Sequence, residues 1–204
     1  MTCEEIDTPH GTARAELHCA AQGRAALLLG HGAGGGVDAP DLVAAARGAV
    51  DAGVHVALVE QPYRVAGRRA PAPAKQLDEA WLVVAEDLGS RWFADLPLVF
   101  GGRSSGARVA CRTAEKGQAV AVLCLAFPLR PPRKPERDRQ EELAAVAVPT
   151  LVVQGDRDPF GQPEPCHHRE VVLLPGDHSL STDVAAVART VGEWLQRVLR
   201  PLDE

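Results

Sequence analysis

The chain lacks any apolar run long enough to cross a membrane. The longest, AVAVLCLAF from Ala119 to Phe127, is about half of the twenty or so residues that a spanning helix needs. It lacks an excess of positive charge. The net charge is −5 with His neutral, which argues against nucleic acid as a general partner. Lysine is scarce and arginine common, which reads as compositional bias rather than function. A regular cysteine framework is missing too. Cys3, Cys19, Cys111, Cys124 and Cys166 are odd in number and irregularly spaced, so a reduced, cytoplasmic protein is expected. The opening MTCEEIDTPHG carries two consecutive acids and no apolar core, so no signal peptide is expected there. No internal repeat is visible.

What is present is ordinary for a globular protein: 204 residues, 46% hydrophobic and 24% charged. That length suits one domain, 1–204. Short apolar runs alternate with amphipathic ones. Ala25 to Gly30 reads as a strand, and Asp41 to Gly53 as a helix ended by glycine. Val54 to Glu60 is a β-branched strand. Lys75 to Leu88 places Leu77, Trp81, Val84 and Leu88 on one helical face. Leu96 to Gly102 is a strand, and Ser105 to Lys116 a helix stopped by Gly117. Ala119 to Phe127, Pro149 to Gly155 and Glu170 to Gly176 are further strands. Val184, Val187, Val191, Leu195 and Val198 make the buried stripe of a last helix. Ala13 to Ala20 alternates and reads as an edge hairpin strand. This alternation implies a mostly parallel sheet with helices on both faces. Pro128 to Glu142, rich in prolines and charges, reads as a loop within the domain.

Two motifs compete at ALLLGHGAGGGVDAP, Ala26 to Pro40. Gly30, Gly32 and Gly35 spell G-x-G-x-x-G after an apolar run, with Glu60 ending the next one, which is the fingerprint of a dinucleotide-binding turn. The fingerprint needs its last glycine in the first turn of the following helix. Here Asp38 is a good N-cap and Pro40 suits a first turn, so the helix should begin after about Asp38. The match is therefore read as accidental.

The strongest signal is VFGGRSSGARVA, Val99 to Ala110. Gly102-Arg103-Ser104-Ser105-Gly106 is G-x-S-x-G between a strand and a helix, the setting of a nucleophile elbow. Glycines two residues either side of Ser104 relieve a crowded turn; Ser105 has no such framing. A serine nucleophile needs a base and an orienting acid, which follow downstream in the order Asp or Glu, then His. Asp156 and Asp158 come just after one strand, and His178 just after the next.

HGAGGG, GGRSSGAR, QGDRDPFG and GDHSL together resemble the α/β-hydrolases. Within them the chain is similar to a small dienelactone-hydrolase-like group, which includes a testis-expressed protein and the hydrolase-like domain of a subunit of the nonspecific-lethal histone acetyltransferase complex. The resemblance spans residues 31 to 180. It implies an α/β-hydrolase fold, with Ser104 as nucleophile, His178 as base and Asp158 as acid, since the family's acid lies three residues after the strand-ending glycine, here Gly155. Asp177 is read as a loop brace. The HGAGGG loop then suits an oxyanion hole, made by the N–H groups of Ala33 and Ser105. His31 is read as packing for that loop. Arg103 is read as pairing with a carboxylate beneath the elbow rather than attracting substrate. Cys166, His167, His168 and Glu170 are too tightly bunched for a metal site. About twenty residues separate Phe127 from Pro149, too few for the cap domain that larger α/β-hydrolases insert there.

The expectation is a serine hydrolase that cleaves a small ester or thioester through an acyl-enzyme on Ser104, with no cofactor, metal, nucleic acid or membrane. A protein partner follows from the resemblance alone. Two other classes stand beside it: a non-catalytic interaction module on the same fold, and the nicotinamide oxidoreductase.

Overall fold

The computed structural model describes residues 2–134 and 136–200. In it eight strands pair as one sheet: β1 (Thr2–Thr8), β2 (Gly11–His18), β3 (Ala26–Gly30), β4 (His55–Glu60), β5 (Leu98–Arg103), β6 (Ala121–Leu125), β7 (Thr150–Gly155) and β8 (Arg169–Leu174). Their order across the sheet is β1-β2-β4-β3-β5-β6-β7-β8. From β4 to β8 the strands run parallel, while β1 and β2 form an antiparallel hairpin that joins the sheet along β4.

The six helices of the described residues are α1 (Pro40–Asp51), α2 (Pro62–Val65), α3 (Ala74–Arg91), α4 (Ser105–Thr113), α5 (Gln140–Ala144) and α6 (Val184–Val198). The pleat of β3 shows how they divide. Ala26 and Leu28 point into one core, shared with Trp81 and Leu88 of α3 and Ala107 and Val109 of α4. Leu27 and Leu29 point into the other, shared with Leu42 and Ala45 of α1 and Val187 and Leu195 of α6. Both faces are covered, which is why the central strands are apolar throughout rather than alternating. This is the α/β-hydrolase fold, and no cap domain interrupts it: among the described residues, the stretch between β6 and β7 supplies only the five-residue α5.

Three local readings are corrected, and one short helix had no sequence signal. The N-cap position of α1 is Ala39, not Asp38, and no side chain caps it; Asp38 lies against Gly36 in the preceding loop instead. The strand read at Ala13–Ala20 is not at the edge. A further strand, β1, lies outside it, and of that strand's seven residues only Ile6 is buried, so its sequence carries no hydrophobic alternation to read. Val184 is exposed at the first turn of α6, and the buried stripe runs through Val187, Val191 and Leu195. α2, a single turn, has no apolar period and was not foreseen.

Candidate active site

The parallel strands end at one edge of the sheet, and the chemistry-bearing residues follow those ends. The backbone ladder continues past them: Ser104 N–H donates to the Leu125 carbonyl at 2.9 Å, Ala126 N–H to Val153 at 2.8 Å and Asp156 N–H to Leu174 at 2.8 Å. The loops after β5, β7 and β8 are thereby tied side by side, which brings residues 104, 158 and 178 together.

Ser104 is the tip of the turn between β5 and α4, with φ 51° and ψ −105°. Few non-glycine residues take this backbone conformation, and holding one there costs on the order of 1–3 kcal/mol. The flanking glycines explain how the turn closes. A Cβ on Gly102 would lie 2.6 Å from the carbonyl carbon of Gly106 and 2.7 Å from the oxygen of Gly30, and one on Gly106 would run into that same oxygen. The end of β3 thus packs directly on the elbow, leaving no room for side chains at 102 and 106.

Ser104 Oγ lies 2.9 Å from His178 Nε2, and His178 Nδ1 lies 2.8 Å from Asp158 Oδ2. With its proton on Nδ1, the ring donates to the carboxylate and Nε2 accepts from the hydroxyl. The Asp158 side chain is fully buried, and its oxygens are taken up: Oδ1 accepts from Phe160 N–H at 2.8 Å, and Oδ2 accepts from Gln154 Nε2 at 2.8 Å as well as from the imidazole. A buried carboxylate so satisfied has one orientation open to it.

Of the two acids left open by spacing, Asp156 turns away. Its Oδ1 accepts from Gly176 N–H at 2.8 Å and pairs with Arg157 at 3.3 Å, bracing the loop that carries His178. Asp177 accepts from both the N–H and the hydroxyl of Ser179, bonds that hold its carboxyl below the usual carboxylate range. It is a brace, as read.

The Gly-rich loop after β3 lies against the elbow. A Cβ on Gly32 would come 3.8 Å from that of Ser104. Among the described residues, the N–H groups of Ala33 and Ser105 donate no hydrogen bond. The Ala33 carbonyl accepts from the Tyr63 hydroxyl at 3.0 Å, which fixes the loop's far side. His31 is buried beneath. Its Nδ1 donates to the Gly32 carbonyl at 2.8 Å and its Nε2 accepts Gln61 N–H at 3.1 Å. Burial pushes its pKa down. Both nitrogens are occupied, so His31 packs the loop rather than serving a second site. Because α1 starts at Pro40, Gly35 stands well ahead of the first helical turn, in the wrong place for a dinucleotide turn.

Arg103 pairs with a carboxylate, as the sequence suggested, and the partner is Asp41 at 2.8 Å. Cys166 lies 3.8 Å from His168 Nε2, but among the described residues no three His, Cys, Asp or Glu side chains group in a way that could hold a metal ion.

Three contributors escaped sequence reasoning. Gln154 interrupts an otherwise apolar strand, and a polar residue there implies buried partners; its Nε2 reaches the Phe127 carbonyl, Asp158 and the Gly161 carbonyl. Phe160 sits within the QGDRDPFG motif and packs, tilted, on His178. Tyr63 had no signal beyond its position after β4.

A family model described as an alpha/beta hydrolase domain matches residues 23–200, and the chain belongs to that family. No curated protein sequence matches it. Among solved structures it is similar to an α/β serine hydrolase without lid from Xanthomonas campestris, at 20% identity and TM-score 0.79, covering 96% of this chain and 94% of that one. A dienelactone hydrolase from Anabaena variabilis matches at 18% identity and TM-score 0.74, with 96% of each chain covered. An α/β serine hydrolase homologue from Coxiella burnetii matches at 16% identity and TM-score 0.76, covering 95% and 97%. Among the described residues no helix is long and apolar enough to cross a membrane.

Proposed function

We propose that the chain is a serine hydrolase that cleaves a small ester or thioester through an acyl-enzyme on Ser104. The observation that carries this reading is the unbroken relay from Ser104 Oγ to His178 Nε2 at 2.9 Å and from His178 Nδ1 to Asp158 at 2.8 Å. In the first step His178 Nε2 takes the hydroxyl proton as Ser104 Oγ bonds to the substrate carbonyl carbon. The carbonyl π electrons move to oxygen, and the undonated N–H groups of Ala33 and Ser105 are the candidate donors to that oxyanion. Each such donor is typically worth roughly 2.7–4 kcal/mol in the transition state. Asp158 holds the ring in the tautomer with Nδ1–H and stabilises the imidazolium. Collapse of the intermediate expels the alkoxide or thiolate, which takes the proton from Nε2. Water then repeats the sequence on the acyl-enzyme: His178 removes its proton, the acid is released and Ser104 regains its hydrogen.

The similar structures, two serine hydrolases of this fold or their homologues and a dienelactone hydrolase, are in keeping with this reading. A fluorophosphonate probe tests it. Stoichiometric labelling of the wild type, with the adduct mapped to Ser104 and lost in Ser104→Ala, is the expected result. Labelling at Ser105 would overturn the assignment, and absence of both labelling and ester turnover would favour an interaction module on the same fold.

A further inference from the structure

Arg103 takes no part in the bond-making steps above, yet it touches three separate parts of the site. It ends β5, one residue before Ser104. Its Nε donates to Asp41 Oδ2 at 2.8 Å, in the first turn of α1, and its Nη2 donates to the His178 carbonyl at 3.0 Å. The remaining arm lies against the Gly-rich loop, where a Cβ on Gly32 would come 2.9 Å from Nη1. One planar fork therefore meets α1, the candidate oxyanion loop and the backbone of the histidine.

The cost of this arrangement points to its use. The Asp41 side chain is fully buried, burial pushes its carboxyl up, and the Arg103 charge opposes that rise. A buried ion pair is a poor source of net stability, because desolvation offsets the attraction. What it does supply is direction. The guanidinium has donors at fixed angles, so pinning Nε on Asp41 dictates where Nη2 can reach. Asp158 holds the His178 ring from the Nδ1 side; Arg103 holds the main chain that carries the ring.

We propose that Arg103 is a positioning residue, which through the buried Asp41 anchor sets the placement of His178 over the elbow so that Nε2 meets Ser104 Oγ. The proposal rests on the serine-hydrolase reading. A lysine at 103 keeps a charge for Asp41 but has no fork, so it cannot serve both acceptors in the same geometry.

The test uses two variants of the full chain. Arg103→Lys retains a cation for Asp41. The pair Arg103→Met with Asp41→Asn removes both charges together, leaving no buried carboxylate without a partner if the lysine variant fails to fold. Each is measured for melting temperature, for kcat and KM on a short p-nitrophenyl ester, and for the downfield NMR resonance of the imidazole proton that His178 shares with Asp158. We expect folded variants with KM within about twofold of wild type, as for a loss felt in the transition state and not in binding. We expect kcat lowered about tenfold or more, the scale of a small misplacement of a catalytic group, and the resonance shifted or broadened. Unchanged kcat and an unchanged resonance in both variants would overturn the proposal, as would a loss confined to KM. If the wild type itself neither labels with fluorophosphonate nor turns over, the hydrolase reading fails separately, and the resonance alone decides whether Arg103 holds His178.

Discussion

The ring of Phe160 packs 4.3 Å, centroid to centroid, from the imidazole of His178, tilted by 32°. Phe160 arrives there because its own N–H is bonded to Asp158 Oδ1 at 2.8 Å, so the carboxylate that orients the histidine also holds the aromatic ring against it. An aromatic contact of this kind is worth about 0.5–1.5 kcal/mol beyond the area it buries. If that energy is used to hold the imidazole in place, Phe160→Ala should lower kcat by roughly two- to tenfold. Steady-state kinetics on a short ester checks this, and unchanged kcat would show the ring to be a passive cover.

Ser104 should be less stable in its place than glycine would be. Its φ of 51° with ψ of −105° is a conformation glycine adopts freely and other residues pay for, at roughly 1–3 kcal/mol. Ser104→Gly should therefore abolish turnover and raise the melting temperature, by about 2–4 °C for each kcal/mol in a chain of this size. Ser104→Ala should abolish turnover with no such gain, since alanine keeps a Cβ. Calorimetry of the two variants against wild type decides it; a melting temperature for Ser104→Gly at or below wild type would deny that the elbow is strained.

His31 makes stability depend on pH in a defined direction. Its Nε2 accepts Gln61 N–H, which needs a neutral ring, and burial holds its folded pKa below the ordinary 6.5. The unfolded chain therefore takes up a proton near pH 6.5 that the folded chain refuses. Above that pH the group contributes nothing to the slope. As pH falls below about 6.5 towards the lower folded value, stability is lost, by at most about 1.4 kcal/mol per pH unit from this group. Urea midpoints measured at about pH 7.5, 6.5 and 5.5 should fall on the acid side, and His31→Asn should flatten that fall. Parallel slopes for the two proteins would remove His31 from the account.

The open architecture bears on substrate length. Among the described residues between β6 and β7 only α5, Gln140–Ala144, is helical, and Ser104 and His178 are both partly exposed. Each methylene gains about 0.8 kcal/mol only where a pocket encloses it. For a series of p-nitrophenyl esters kcat/KM should be flat or falling beyond about butyryl. A steep rise through octanoyl would mean that the segment from Pro128 to Val148 encloses the acyl chain.

Much of this molecule is written in short-range terms, and those terms were legible. Leu27 to Leu29 and Ala121 to Leu125 are apolar throughout because helices cover both faces of their sheet, and Leu77, Trp81, Val84 and Leu88 repeat at helical spacing because one side of α3 is buried. Gly102 and Gly106 are demanded by a turn that brings Gly30 against them, so the elbow could be recognised without knowing what packs on it. The order of serine, acid and histidine was readable because Ser104, the pair Asp156 and Asp158, and His178 each follow the end of a strand. The sequence by itself thus determined the alternation of elements, the elbow with Ser104 at its tip, and a downstream acid, Asp156 or Asp158, followed by His178. Only the tertiary structure decided how they engage. Asp156 and Asp158 are chemically alike and two residues apart, and their separation into brace and histidine partner depends on which way the β7 loop turns beside β8. Asp41 and Arg103 are 62 residues apart, and nothing local in either announces the other. β1 carries too few buried residues to show a period, and Gln154 becomes meaningful only once Asp158 folds back over it. Periodicity and backbone sterics act between neighbours in the chain, whereas a buried charge or amide is satisfied by whatever the strand order β3-β5-β6-β7-β8 sets beside it.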